Sequence, residues 1–95
     1  MIQDRRSFVE PISTAEAIAT VIMVLVGAVC TALQQRGEGA RQLDLLCERV
    51  DGSVQAVRVG TAFPVCDADH MGRLLRARIE TIEPGFGIEA MSLVC

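Results

Sequence analysis

From Ala40 to Thr61, ARQLDLLCERVDGSVQAVRVGT, apolar and polar positions alternate on both sides of Asp51-Gly52, which is the pattern of a β-hairpin. A two-residue loop would set Leu45 opposite Arg58 and Asp44 opposite Val59, so neither face of the ribbon would be apolar. A three-residue loop, Val50-Asp51-Gly52 with Gly52 in the left-handed region, pairs Leu43 with Val59, Leu45 with Val57 and Cys47 with Gln55. One face is then mostly apolar. The other carries Gln42, Asp44, Leu46, Glu48, Val54, Ala56 and Arg58, with Asp44 facing Arg58 as a favourable cross-strand pair. Such a ribbon has to bury its Leu/Val face, and the flanking helical stretches are the means.

The residues before the hairpin predict a strand and a long helix. Arg5 to Ile12 alternates loosely up to Pro11, as a short strand does. Ser13 followed by Glu16 has capping-box spacing, and a helix is expected over Thr14 to Arg36 with Ile18, Ile22, Leu25, Val29 and Leu33 on one stripe. No charged residue occurs from Ala17 to Leu33, a length that touches the lower limit of a membrane span. Segregation of the large apolar residues onto one stripe, opposite Glu16, Thr20, Thr31 and Gln34, favours a buried helix in a protein without a membrane segment.

After the hairpin, Asp67 is a good N-cap, and Met71, Leu74, Leu75, Ile79 and Ile82 fall at helical spacing from Ala68 to Glu83. Asp69 with Arg73 and Arg76 with Glu80 have the spacing of ion pairs on the wet side of that helix. Pro84-Gly85 ends it, and Phe86 to Val94 reads as a last strand. The order is β-α-β-β-α-β: an α+β fold with a four-stranded antiparallel sheet and two helices on one face, as in ferredoxin-like domains.

At 95 residues, 51% of them hydrophobic, residues 1–95 suit a single domain, either alone or as a fragment of a longer protein. The formal net charge is −3, with nine Arg and no Lys, and this acidity argues against strong nucleic-acid binding by the domain alone. Cys30, Cys47, Cys66 and Cys95 show no C-x-x-C pairing, and no secretory leader is recognisable. They read as reduced thiols of a cytoplasmic protein. Cys66 and His70 lack a second pair of ligands, so Cys66-Asp67-Ala68-Asp69-His70 reads as a helix cap and no metal site is expected. No nucleophile-base arrangement and no phosphate loop occurs, so neither a cofactor nor a catalytic residue is expected.

Several stretches together resemble a known family: Arg6-Ser7-Phe8-Val9-Glu10-Pro11-Ile12, Gly39-Ala40-Arg41, Arg49-Val50-Asp51-Gly52, Arg58-Val59-Gly60-Thr61, Arg73-Leu74-Leu75, and above all Glu83-Pro84-Gly85-Phe86-Gly87-Ile88-Glu89. They are similar, in order, to the little finger domain of ImuB-type proteins, polymerase-like relatives of the Y-family (ImpB/MucB/SamB) DNA polymerases. The resemblance implies a non-catalytic domain that lays an open sheet face along duplex DNA in SOS mutagenesis and translesion synthesis. It also implies contacts of the full-length protein with the sliding clamp and an error-prone polymerase.

On the hairpin register the open face carries Asp44 and Glu48 against Arg58, a net charge of −1 over those three, where phosphate contact calls for a basic stripe. Arg5, Arg6, Arg41 and Arg58 are the remaining candidates, and weak duplex binding without sequence preference is expected from them. Gln42-Leu43-Asp44-Leu45-Leu46 looks like a clamp-binding pentapeptide, yet the register turns Leu43 and Leu45 into the core. A ferredoxin-like regulatory domain with a small-molecule pocket is the alternative, although the sequence marks no convergent polar groups for one.

Overall fold

The computed structural model describes all 95 residues and contains β1 (Gln3–Ile12), α1 (Ala15–Arg36), β2 (Ala40–Arg49), β3 (Val54–Val65), α2 (Ala68–Arg76), a short 3-10 turn (Ile79–Thr81) and β4 (Ile88–Val94). All pairings are antiparallel and the strand order is β1-β4-β2-β3. The chain thus forms two interlocked split βαβ units, β4 lying between β1 and β2, and β2 between β3 and β4. The expected fold class is the one observed.

The hairpin takes the three-residue loop. Arg49 N–H donates to the Ser53 carbonyl at 2.8 Å, Gly52 lies at φ 88°, and Leu43, Leu45 and Cys47 face Val59, Val57 and Gln55. Asp51 fixes the turn by accepting from the Ser53 N–H at 2.9 Å and its hydroxyl at 2.6 Å, which holds the Asp51 carboxyl below its usual range.

Helix α1 buries the expected stripe of Ile18, Ile22, Leu25, Val29 and Leu33 and adds Val26 and Cys30. By length and composition alone it could cross a membrane; here it is the core helix, packed on β1, β4 and α2. Its N-cap is Thr14, whose Oγ1 accepts from the Ala17 N–H at 3.1 Å, one residue later than the Ser13 capping box predicts. Gly37 at φ 66° closes its C-terminus. The core joins this stripe to Leu43, Leu45, Cys47, Val57 and Val59 of the hairpin, Met71 and Leu75 of α2, and Ile88, Met91 and Leu93 of β4. Burial pushes the Cys47 thiol up to about 11.

The second helix is shorter than its periodicity predicts. It stops at Arg76, eight residues before Pro84, and the 3-10 turn follows. A side chain on the hairpin explains this. Gln55 donates to the Thr81 carbonyl and accepts from the Glu83 N–H at 2.8 Å, drawing the segment onto the sheet and burying Ile82. The expected Asp69–Arg73 and Arg76–Glu80 ion pairs do not form, the second because Glu80 lies beyond the helical register. β4 likewise begins at Ile88, leaving Phe86 almost fully exposed.

Candidate nucleic-acid interface

Both helices pack on the sheet face that carries Leu43, Leu45 and Leu93, so the opposite face is open. The pairings set out its rows: Gln3, Val94, Asp44 and Arg58 in one, Arg5, Ser92, Leu46 and Ala56 in the next, Ser7, Ala90, Glu48 and Val54 in the third. Two guanidinium–carboxylate pairs span this face. Arg58 binds Asp44 with Nε at 2.7 Å and Nη2 at 3.3 Å, the pair expected from the hairpin. Arg5 reaches across β4 to Glu48, with Nε at 2.9 Å and Nη2 at 3.2 Å. Ala90 and Ser92 lie beneath that bridge and are buried although they point away from the helices. Hydrogen bonding from Arg5 holds the Glu48 carboxyl below its usual range, and the same pairing raises the Arg5 guanidinium further above its own. Asp44 does the same for Arg58.

The four predicted contacts therefore do not form one stripe. Arg5 and Arg58 are on the open face, each engaged by a carboxylate. Arg6 faces the helix side of β1, since its partner in the pairing is the fully buried Met91, and its Nε binds Asp4 at 2.9 Å. Arg41 lies at the irregularity between Ala40 and Gln42, exposed and without a carboxylate partner. Over the paired rows the charge is balanced, two guanidiniums against two carboxylates, once Arg5 joins the three residues of the hairpin register, while Glu89 at the irregularity of β4 adds a further carboxylate near Arg5.

Sequence reasoning passed over three further basic residues. Arg73, Arg76 and Arg78 are exposed at the C-terminal end of α2 and just after it, and none pairs with a carboxylate. Three Arg within six residues form a basic cluster in the sequence; the expected pairs of Arg73 with Asp69 and of Arg76 with Glu80 mask two of them, while Arg78 has no such partner. Elsewhere, Asp67 Oδ1 accepts from the N–H groups of Asp69 and His70, the expected helix cap. Leu43 and Leu45 of the clamp-like pentapeptide are fully buried. A cleft of about 500 Å³ opens beside the two ends of the chain, near Arg41, Gln42 and Asp44, but Asp44 is already committed to Arg58.

Solved structures share this architecture. The little finger domain of PolIV in a complex with the beta-clamp processivity factor superposes with a TM-score of 0.75 at 13% identity, covering 96% of this chain and 82% of that one. DinB from Sulfolobus solfataricus does so with a TM-score of 0.76 at 4% identity, over 96% and 26% of the respective chains. The fold is that of a Y-family little finger.

In sequence, the chain is 37% identical over 90 residues to Protein ImuB from two strains of Caulobacter vibrioides, NA1000 / CB15N and ATCC 19089 / CIP 103742 / CB 15. That match takes in 95% of this chain and 20% of each relative, so the chain spans about a fifth of their length. The model of the impB/mucB/samB family C-terminal domain matches residues 1–94, and the chain belongs to that family.

Proposed function

We propose that this chain is a non-catalytic accessory domain of a cytoplasmic, polymerase-like protein in SOS mutagenesis and translesion DNA synthesis, and that it lays its open sheet face along duplex DNA. The observation that carries this reading is the uncovered four-stranded face of a little finger fold in a member of the impB/mucB/samB family. Arg5 and Arg58 contact phosphates from that face, Arg41 from the irregularity of β2 and Arg6 from the helix side of the edge strand β1. Contact is weak and without sequence preference, because three of the four already hold carboxylates. Contacts with the sliding clamp and an error-prone polymerase belong to the full-length protein. A PolIV little finger has been solved with a clamp, which supports a clamp contact here. With Leu43 and Leu45 in the core, such a contact uses residues other than the Gln42–Leu46 strand.

The test is duplex binding followed by fluorescence anisotropy as salt rises. Four phosphate contacts correspond to a slope of log affinity on log salt of roughly −3 to −4, with binding nearly gone at physiological ionic strength. Charge reversal at Arg58 should weaken every duplex sequence alike. No binding even at low salt rejects the DNA reading in favour of protein docking.

A further inference from the structure

The guanidiniums divide into those already committed and those still free. Arg5, Arg6 and Arg58 hold carboxylates, and Arg49 is tied to the neutral Ser53 hydroxyl and Gln55 amide oxygen with its Nε buried. Arg36, Arg41, Arg73, Arg76 and Arg78 hold none, and the last three fall within six residues of one another. Arg76 Nε donates to the Gly72 carbonyl at 3.2 Å, and Arg78 Nη1 donates to the Arg58 carbonyl at 3.4 Å. A carbonyl partner orients a guanidinium and leaves its charge and its other N–H groups available, which is what a phosphate oxygen needs. A carboxylate partner has to be exchanged for the phosphate, so much of the gain is lost.

Position adds to the charge. The Arg78 contact is with the backbone of Arg58 itself, so Arg78 sits at the outer edge of β3, where the Arg58 side chain begins on the open face. Arg73 and Arg76 continue from there along the last turn of α2. Asp67 and Asp69 lie at the opposite end of that helix, and Glu80 and Glu83 follow in the next segment; none comes within 4 Å of these three guanidiniums. We propose that Arg73, Arg76 and Arg78 are a second phosphate-binding element, which carries the DNA backbone from Arg58 around the β3 edge onto α2. This rests on the DNA reading above and extends it beyond the open face.

Three additional contacts raise the expected salt slope of the chain to about −6, against roughly −3 to −4 for Arg5, Arg6, Arg41 and Arg58 alone. The experiment is anisotropy with a labelled ~20-base-pair duplex over a salt series on the natural chain, on R73E/R76E/R78E, and on single reversals. The triple variant should lose at least ~10-fold in affinity at low salt and flatten the slope by 2 to 3 units (~0.9 per contact). Arg36→Glu makes the same charge change as Arg73→Glu at the far end of α1. It should cost under ~2-fold, whereas Arg73→Glu costs ~3-fold or more. Arg73 makes no side-chain hydrogen bond, so its reversal tests the element even if the triple variant unfolds. A natural chain that binds with a slope of roughly −3 to −4, unmoved by these reversals, overturns this inference and leaves the open-face reading intact. Equal losses from Arg36→Glu and Arg73→Glu overturn it too. Absence of binding at low salt removes both readings.

Discussion

The two faces of the sheet are built from alternate residues of the same strands, and they are held by different physics. Towards the helices, Leu43, Leu45, Cys47, Met91 and Leu93 are without measurable exposure. Towards solvent, Asp44, Leu46 and Glu48 of β2 remain partly exposed, and the prominent contacts are hydrogen-bonded ion pairs. The covered face supplies stability by removing apolar area from water, while exposed ion pairs add little and are screened by salt. The open face can therefore change partners without unfolding the domain, which is what a surface that exchanges carboxylate for phosphate requires.

The largest effect expected from breaking this contrast is on the covered side. Leu25→Ala and Leu45→Ala should each cost ~2–5 kcal/mol in denaturant unfolding, as fully buried leucines do. The adjacent Leu46→Ala removes a half-buried side chain from the open face and should cost about 1 kcal/mol. Equal costs for Leu45 and Leu46 would abolish the distinction between the faces. Next comes the turn that sets the register. Gly52→Ala places a Cβ at φ 88° and should cost about 1–2 kcal/mol, measurable as a fall in Tm.

Much of this was legible in the sequence because it is local. Asp51-Gly52 with alternation on either side specified the hairpin register, and with it the Asp44–Arg58 pair. Periodicity alone picked out five of the seven residues that α1 buries. What could not be read depends on contacts distant along the chain. That β4 lies between β1 and β2 joins residues more than eighty positions apart, and this arrangement is what lets Arg5 reach Glu48 and turns Arg6 to the helix side. The early end of α2 likewise depends on Gln55, a polar residue on the apolar side of the ribbon, capturing Thr81 and Glu83. An overlong helix masks the free arginines only in part: carried on to Glu83 it would set Arg76 beside Glu80, but Arg73 stays unpaired although Asp69 lies within α2, and Arg78 has no acidic residue at helical spacing.

A smaller effect sharpens the comparison from the open side. Asp44→Asn and Glu48→Gln leave the fold's apolar contacts in place while freeing Arg58 and Arg5 for phosphate. Each should raise duplex affinity by roughly threefold at low salt, measured by the same anisotropy titration. A loss of affinity would mean that the carboxylates orient the guanidiniums for DNA instead of competing with it.

The smallest expected effect is on acid stability, where the sign can be worked out. Hydrogen bonds from Arg5 hold the Glu48 carboxyl below its ordinary value of 4.5, and Ser53 holds Asp51 below 3.8. A carboxyl with a depressed value in the folded state binds fewer protons there than in the unfolded chain. Its contribution is thus fully present above the ordinary value and is lost as pH falls through the folded one. Tm should therefore be flat above about pH 5 and decline as pH falls below 4.5 for the Glu48 part and below 3.8 for the Asp51 part. In Glu48→Gln the part of that decline due to Arg5 pairing disappears, while the part due to Asp51 remains. Because both carboxyls are exposed, the change should be small and should shrink further in high salt. A Glu48→Gln profile identical to that of the natural chain in low salt would mean that the Arg5–Glu48 bridge over β4 does not persist in solution, and that Arg5, like Arg73, is already free to meet phosphate.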